Sequence, residues 1–280
     1  MSLSIEEVIN SYSKKIYSKT SQPIFEIQML LSFVLKVDIE FLYSWPEKKL
    51  TTKDLFFFDF LVSERIKGKP IAYIIQKKNF WTLNLHVNDY TFIPRESTEI
   101  LIETILKIFP DNIKCLNVLD LGTGSGNIAL SICMERKKWK ITAIDYSKEA
   151  LYIAKKNARK YKTKNIKFIQ SNWFEKITGK FDIILSNPPY IALDDLNICN
   201  QVKEYEPHLA LFSKNHGLYD IKKIIKEGKK FLKKKGIIVL EHGYLQGKAV
   251  REIFKNFGFS KIETKKDYSK NERISLGYYE

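Results

Sequence analysis

Through the first hundred residues apolar positions recur at helical spacing; further on they gather into short apolar runs separated by amphipathic stretches. Ile5, Val8, Ile9, Tyr12 and Ile16 share one helical face, and Ser4 followed three residues later by Glu7 fits a capping box. Pro23 opens a second helix through Ile24, Ile27, Leu30, Leu31 and Val34. A short segment over Ile39–Tyr43 stops before Trp45-Pro46, and a further helix runs from Lys53 to Lys67, ending at Gly68. Ile71–Ile75 and Phe80–Val87 predict a pair of short strands, with Asn88-Asp89 as a turn, and Ser97–Phe109 predicts a helix ended by Pro110.

From Cys115 the pattern becomes strand–helix–strand. Strands are expected at Asn117–Leu121, Lys140–Asp145, Ile166–Gln170, Phe181–Ser186 and Gly236–Glu241, with helices at Ile128–Glu135, after Ser147, at Leu218–Lys234 and at Val250–Phe257. Phe259–Thr264 and Arg273–Tyr278 predict a closing antiparallel pair. Apolar strands alternating with amphipathic helices imply an α/β, doubly wound sheet covered on both faces. A chain of 280 residues suits two domains better than one of about 150. The division expected is a small, mainly helical domain over 1–88, ending in the strand pair, and the α/β domain over 89–280.

Composition narrows the classes. Hydrophobic residues make up 44% of the chain, which excludes a disordered protein. The longest apolar stretches, Met29–Val37 and Leu55–Val62, are interrupted by Ser32 and Lys36 or by Asp59 and fall short of the ~18 residues of a membrane helix. Glu6 and Glu7 near the start leave no signal-peptide pattern, and no membrane partner is expected. Cys115, Cys133 and Cys199 form neither a disulfide framework nor a zinc spacing, so a reducing cytoplasm is the expected location. His86, His208, His216 and His242 form no ligand spacing, and no metal is expected. With 47 Lys+Arg against 32 Asp+Glu, the net charge is +15, which invites a nucleic-acid partner. Much of that charge has a simpler place. In Ile221–Lys235 the lysines lie opposite an apolar stripe of Ile221, Ile224, Ile225, Phe231 and Leu232, as on a solvated helix face.

Two motifs carry chemistry. Asp120-Leu121-Gly122-Thr123-Gly124-Ser125-Gly126 lies between the first strand of the α/β part and its helix, where glycines allow a tight turn and a close approach to a ligand. The dinucleotide fingerprint would need glycine where Asn127 stands, the Gly-Lys-Ser/Thr of a phosphate-binding loop is missing, and no G-x-S-x-G elbow offers a nucleophile. An ordinary β–α turn is the alternative. Asp145, at the end of the second strand, can accept both hydroxyls of a ribose or cap the next helix. Together these features point to an adenosine-bearing ligand without a pyrophosphate, which S-adenosylmethionine satisfies better than NAD. Asn187-Pro188-Pro189-Tyr190 follows the fourth strand. Its prolines remove two donors and stop strand pairing, while the carbonyls and the Asn187 side chain offer acceptors and Tyr190 a flat face. That set suits a planar NH₂ group. In strand order 3-2-1-4 the two motifs flank the switch point where doubly wound sheets bind ligands.

The chain resembles the protein-glutamine N5-methyltransferases of peptide chain release factors, the PrmC/HemK family, over nearly its whole length. The resemblance rests on Gly68–Tyr73, Phe80-Trp81, Ile93-Pro94-Arg95 with Thr98-Glu99, and the 120–126 glycine loop. It continues through Gln170–Phe174, Asn187–Tyr190, Leu240–Gly243 and Asn271-Glu272-Arg273. It implies a seven-stranded class I S-adenosylmethionine-dependent methyltransferase fold over 89–280, with the N-terminal domain docking the protein substrate. It also implies methylation of the glutamine in the GGQ motif of class 1 release factors, by a monomer that needs no direct nucleic-acid contact. Gly122, Thr123, Gly124, Ser125, Gly126, Asp145 and Trp173 would bind S-adenosylmethionine. Asn187 would stand at the donor–acceptor junction, and Asn187, Pro188, Pro189 and Tyr190 would hold the glutamine. Catalysis would fall to Asn187, Pro188 and Tyr190, with the Asn187 side-chain oxygen and the Pro188 carbonyl accepting the two N–H bonds. Asp120 and Phe92 would line the site. Ser125 replaces a frequent Thr. Asn172 stands where the family has Asp, keeping an acceptor but losing a charge, so weaker adenosine binding is expected. His242, the partner of Glu241 at a strand end, reads as structural rather than as a base. An N6-adenine or guanine-N2 nucleic-acid methyltransferase would use the same Asn-Pro-Pro-Tyr acceptors.

Overall fold

The computed structural model describes residues 3–110 and 114–280. The chain forms two compact units, Met1–Lys77 with Asn200–Tyr205, and Lys78–Cys199 with Glu206–Glu280.

In the smaller unit, helices Ile5–Lys15, Pro23–Leu35, Ile39–Ser44 and Thr52–Ile66 enclose a core that includes Val8, Ile27, Leu30, Leu31 and Phe58. The first helix starts with a reciprocal cap: Glu7 N–H donates to Ser4 Oγ at 3.2 Å and Ser4 N–H to Glu7 Oε2 at 2.7 Å. Thr51 and Asp54 repeat the device on the fourth helix. Ile71–Ile74 is a helical turn, not the strand that its isoleucines suggested. Pro70, at φ −56°, starts the turn, and its carbonyl accepts from both Tyr73 and Ile74 N–H. Ala72, Tyr73, Ile74 and Ile75 are all buried in succession. The hairpin pairs Lys77–Phe80 with Leu83–His86, turns at Trp81, φ +54°, and from Lys78 on belongs to the larger unit. The helix Asn200–Tyr205 completes this unit: Gln201 Nε2 donates to the Gly68 carbonyl at 2.8 Å and the Tyr205 hydroxyl to the Lys67 carbonyl at 3.0 Å.

The larger unit is built on seven strands: β1 Asn117–Leu121, β2 Lys140–Asp145, β3 Ile166–Gln170, β4 Phe181–Ser186, β5 Leu232–Glu241, β6 Ser260–Lys266 and β7 Glu272–Tyr278. Their order is β3-β2-β1-β4-β5-β7-β6. The first five run parallel, and β7 is antiparallel to both β5 and β6. Side chains alternate between two cores. Val118, Ile183, Leu185, Ile237 and Val239 pack on one face with helices Glu99–Ile108 and Asn127–Glu135. Leu119, Leu121, Ile184, Ile238 and Leu240 pack on the other with Tyr219–Gly228 and Gly247–Asn256. Both faces are covered, as a parallel sheet requires.

The helix expected over 218–234 ends at Gly228, and β5 begins at Leu232. A Cβ at Gly228 would lie 2.9 Å from Ile238, so the helix ends at a close approach to the sheet. The register of β5 against β4 jumps from Phe181↔Leu232 to Ile183↔Ile237, which places the lysines of 233–235 in a bulge. Lys222, Lys226, Lys230, Lys234 and Lys235 are exposed while Ile221, Ile224 and Ile225 are buried. β1 and β4 are neighbours whose following loops diverge, and the buried Ser186 Oγ donates to the Leu121 carbonyl at 2.7 Å, tying the two strand ends together.

Candidate active site

The ends of β1, β2 and β4 open onto a cleft of about 510 Å³ in the larger unit. Gly122, Thr123, Gly124 and Ser125 form its floor. Gly122, Gly124 and Gly126 have φ of +71°, +55° and +85°, the left-handed region that favours glycine. Their uses differ. A Cβ at Gly124 would meet nothing within 4 Å, so that side of the loop faces open space. One at Gly126 would lie 3.0 Å from Leu130, which marks tight packing beneath the loop; Gly126 is buried and does not line the cleft.

Two carboxylates support the loop. Asp145 Oδ2 accepts from Gly124 N–H at 2.8 Å and Oδ1 from Ser147 N–H at 2.9 Å, so this residue shapes the loop and holds Ser147, the cap of the next helix, while lining the cleft. Burial pushes its carboxyl up, and the backbone N–H groups pull it back. Asp120 is fully buried; Oδ2 accepts from Thr123 Oγ1 at 2.6 Å and Oδ1 has no partner. Burial pushes it up to about 7. It underlies the loop and is not part of the cleft lining.

Trp173, at φ +47°, places its ring 3.8 Å from the Cβ position of Gly122 and lines the cleft beside Asn172. Asn172 Nδ2 donates to Glu175 at 2.6 Å. An aspartate at 172 would face that carboxylate with no proton to donate to it. Opposite stand Phe92 in the 89–92 segment and Leu209–Phe212. The buried Glu206 fastens these walls to each other, pairing with Arg95 and accepting from Ile93 N–H at 3.1 Å.

Asn187, Pro189 and Tyr190 line the cleft after β4, whereas Pro188 is buried behind them. Asn187 Nδ2 donates to Thr98 Oγ1 at 3.1 Å, and Thr98 Oγ1 donates to Glu241 Oε2 at 2.6 Å. The Tyr190 hydroxyl donates to Glu241 Oε1 at 3.1 Å. Burial pushes the Glu241 carboxyl up, opposed first by the Thr98 hydroxyl and then by the charge of Arg273. Burial also pushes the Tyr190 hydroxyl up, followed by the Glu241 charge. His242 is fully buried, with its ring nitrogens at the Gly243 carbonyl and Ser275 Oγ, and burial pushes it down. It is a packed core residue.

Thr98 and Glu241 entered the sequence reading only within family motifs. Gln246 and Gly217 carried no signal there. Gln246 Nε2 donates to the Tyr190 carbonyl at 2.9 Å, and a Cβ on Gly217 (φ +81°) would fall 1.9 Å from that same oxygen. Gly217→Ala is expected to cost about 1–3 kcal/mol of stability through overpacking and to displace Tyr190, lowering turnover. Denaturant melts and initial rates test this, and wild-type values in both would contradict it. Among the described residues no cluster of three His, Cys, Asp or Glu is placed to hold a metal ion, and no helix is long and apolar enough to cross a membrane.

A doubly wound, seven-stranded sheet with a glycine loop and an Asn-Pro-Pro-Tyr turn at one cleft defines a methyltransferase of Rossmann-like architecture. Residues 113–273 match the family described as "Methyltransferase domain", and residues 7–75 match "PrmC N-terminal domain". A release factor glutamine methyltransferase of Buchnera aphidicola subsp. Acyrthosiphon pisum is 42% identical over 272 residues, 96% of this chain and 98% of that one. One from Aliivibrio fischeri is 37% identical over 282 residues, 100% of this chain and 99% of that one. Among solved structures, the T. thermophilus 16S rRNA N2 G1207 methyltransferase, in complex with AdoMet and guanosine, shares the fold. Its TM-score is 0.54 at 16% identity, covering 73% of this chain and 50% of that one. The chain belongs to the release factor glutamine methyltransferase family.

Proposed function

We propose that this protein transfers the methyl group of S-adenosylmethionine to the side-chain amide nitrogen of a glutamine, the one in the GGQ motif of class 1 peptide chain release factors, in the cytoplasm and on protein rather than nucleic acid. The observation that carries this reading is the Asn187 carboxamide. Its N–H is turned inward to Thr98, no described residue donates to its oxygen, and it shares a cleft with the glycine loop.

The residues present fit the cofactor. Open space beside Gly124 leaves room against the loop, Asp145 and Trp173 line the same floor, and the buried Asp120 beneath the loop, with Oδ1 unpartnered, is a carboxyl whose ionised form a cationic ligand would favour. Gly122–Ser125, Asp145 and Trp173 would hold it, and Gly126 would act by packing the loop. S-adenosylmethionine supplies an electrophilic methyl group, and the other tasks fall to the chain. The Asn187 side-chain oxygen accepts one N–H bond of the amide and the backbone carbonyl of Pro188, whose ring is buried, would take the other, while Pro189 and Tyr190 pack against it. These acceptors aim the nitrogen and stabilise the positive charge that develops on it. Holding the reacting atoms at ~3–3.5 Å supplies much of the acceleration. The proton leaves afterwards to water, so no dedicated base is required.

Incubation with labelled S-adenosylmethionine and a release factor, its glutamine-substituted variant, or DNA and RNA tests the reading. Label should enter the release factor and vanish with the glutamine. Transfer to nucleic acid alone would overturn it.

A further inference from the structure

We propose that Thr98 and Glu241 are positioning residues that fix which end of the Asn187 carboxamide faces the cleft, and thereby set the site to receive a group that donates N–H bonds. The inference rests on the reading of Asn187 given above and extends it to residues that do not touch the substrate.

The polarity of the chain follows from counting protons. A hydroxyl has one proton to donate and lone pairs to accept with, and an ionised carboxylate only accepts. Three hydroxyls, those of Ser97, Thr98 and Tyr190, surround the Glu241 oxygens and the Arg273 charge favours their ionised form, so Thr98 Oγ1, buried 2.6 Å from Oε2, commits its one proton to the carboxylate. Toward Asn187 it can then only accept. The Asn187 atom at 3.1 Å from it must be Nδ2, which turns Oδ1 the other way. An isolated carboxamide could adopt either orientation, and the reversed one would present N–H groups to a substrate that also carries N–H groups. Glu241 closes the arrangement because it accepts on both sides. Oε2 takes the Thr98 proton, and Oε1 takes those of Tyr190 at 3.1 Å and Ser97 at 3.5 Å. A glutamine at 241 could accept on one side only and would release either Thr98 or Tyr190.

The test uses the full chain in single turnover with labelled S-adenosylmethionine and a release factor. Thr98→Val removes the acceptor for Asn187 with little change of volume and is expected to lower the transfer rate about 10-fold, the scale of losing one orienting hydrogen bond of about 1.4 kcal/mol. Cofactor affinity should change less than about twofold, since neither residue lines the cleft. Thr98→Ser keeps the hydroxyl and should restore most of the rate. Glu241→Gln should fall by at least as much as Thr98→Val. The decisive measurement is the double-mutant cycle with Asn187→Ala: the Thr98→Val penalty should vanish once there is no carboxamide left to orient. A penalty of equal size in both backgrounds, or no penalty in the wild-type background, would overturn the inference. Absence of transfer by the wild-type protein would instead overturn the proposed function, so the two failures are distinct.

Discussion

Asn187→Ala is expected to lower methyl transfer to the release factor by about 10²–10³-fold while leaving S-adenosylmethionine affinity within about threefold. The magnitude is that of removing one preorganised polar group aimed at charge that develops in the transition state. A carboxamide nitrogen is a weak nucleophile because its lone pair is delocalised, so attack depends on an acceptor that draws its N–H bond and aims the nitrogen. In this cleft that acceptor is the one Asn187 atom that the Thr98–Glu241 chain leaves unengaged. The Asp145 and glycine-loop contacts lie on neighbouring strands and are untouched by the substitution. Stopped turnover gives the rate, and calorimetric titration with the cofactor gives the affinity. Turnover close to wild type would remove Asn187 from the reaction; a parallel collapse of cofactor binding would reassign it to that ligand.

The legible part of the site and the hidden part differ in the range of the physics behind them. The glycine loop shows in sequence because a backbone at positive φ selects its residues locally, and three alternate glycines mark one continuous bend. Asn187-Pro188 is legible for a similar reason, since proline ends pairing wherever it stands. The parallel strands announce themselves as apolar runs because both faces of the sheet are buried. The partners that orient these motifs leave no such trace. Thr98 and Glu241 are 143 residues apart, and only the sheet order β1-β4-β5 brings the ends of β4 and β5 together under the segment holding Thr98. Glu241 ends an apolar strand and stood in the sequence only as the partner of His242; its burial against three hydroxyls gives it a use of its own.

The misread elements have the same origin. Ile71–Ile75 carries the β-branched composition of a strand, yet a proline-started turn forms there and buries Ile74 and Ile75 in the helical core. The lysines before Gly236 favour helix by propensity, yet the open edge of β4 recruits Leu232 and the intervening residues bulge out. In both places tertiary burial outweighs local preference, and nothing within a short window records it.

Asp120→Asn is expected to remove about 4 kcal/mol of pH dependence from the stability of the protein between pH 4 and pH 7. Complete burial is the main cause, raising the Asp120 carboxyl from 3.8 to about 7; the nearby Asp145 charge raises it further, while Thr123 and the backbone pull it down. The folded chain therefore keeps this proton up to about pH 7, whereas the unfolded chain releases it near 3.8. A carboxyl raised in this way stabilises the fold fully below its unfolded value, and the benefit is lost as pH climbs through the folded one. At about 1.4 kcal/mol per pH unit, that window gives the expected size. Asparagine still accepts from Thr123 and has no proton to lose. Its NH₂ at the unpartnered Oδ1 position adds a penalty that does not vary with pH. The wild-type minus Asp120→Asn difference in unfolding free energy, from urea melts at a series of pH values, should thus fall steadily from pH 4 to 7 and then level off. Saturating S-adenosylmethionine, whose sulfonium favours an ionised carboxylate nearby, should shrink that fall. A difference that stays flat without the cofactor would show that Asp120 is already ionised in the fold, and would place its charge among the permanent features of the loop.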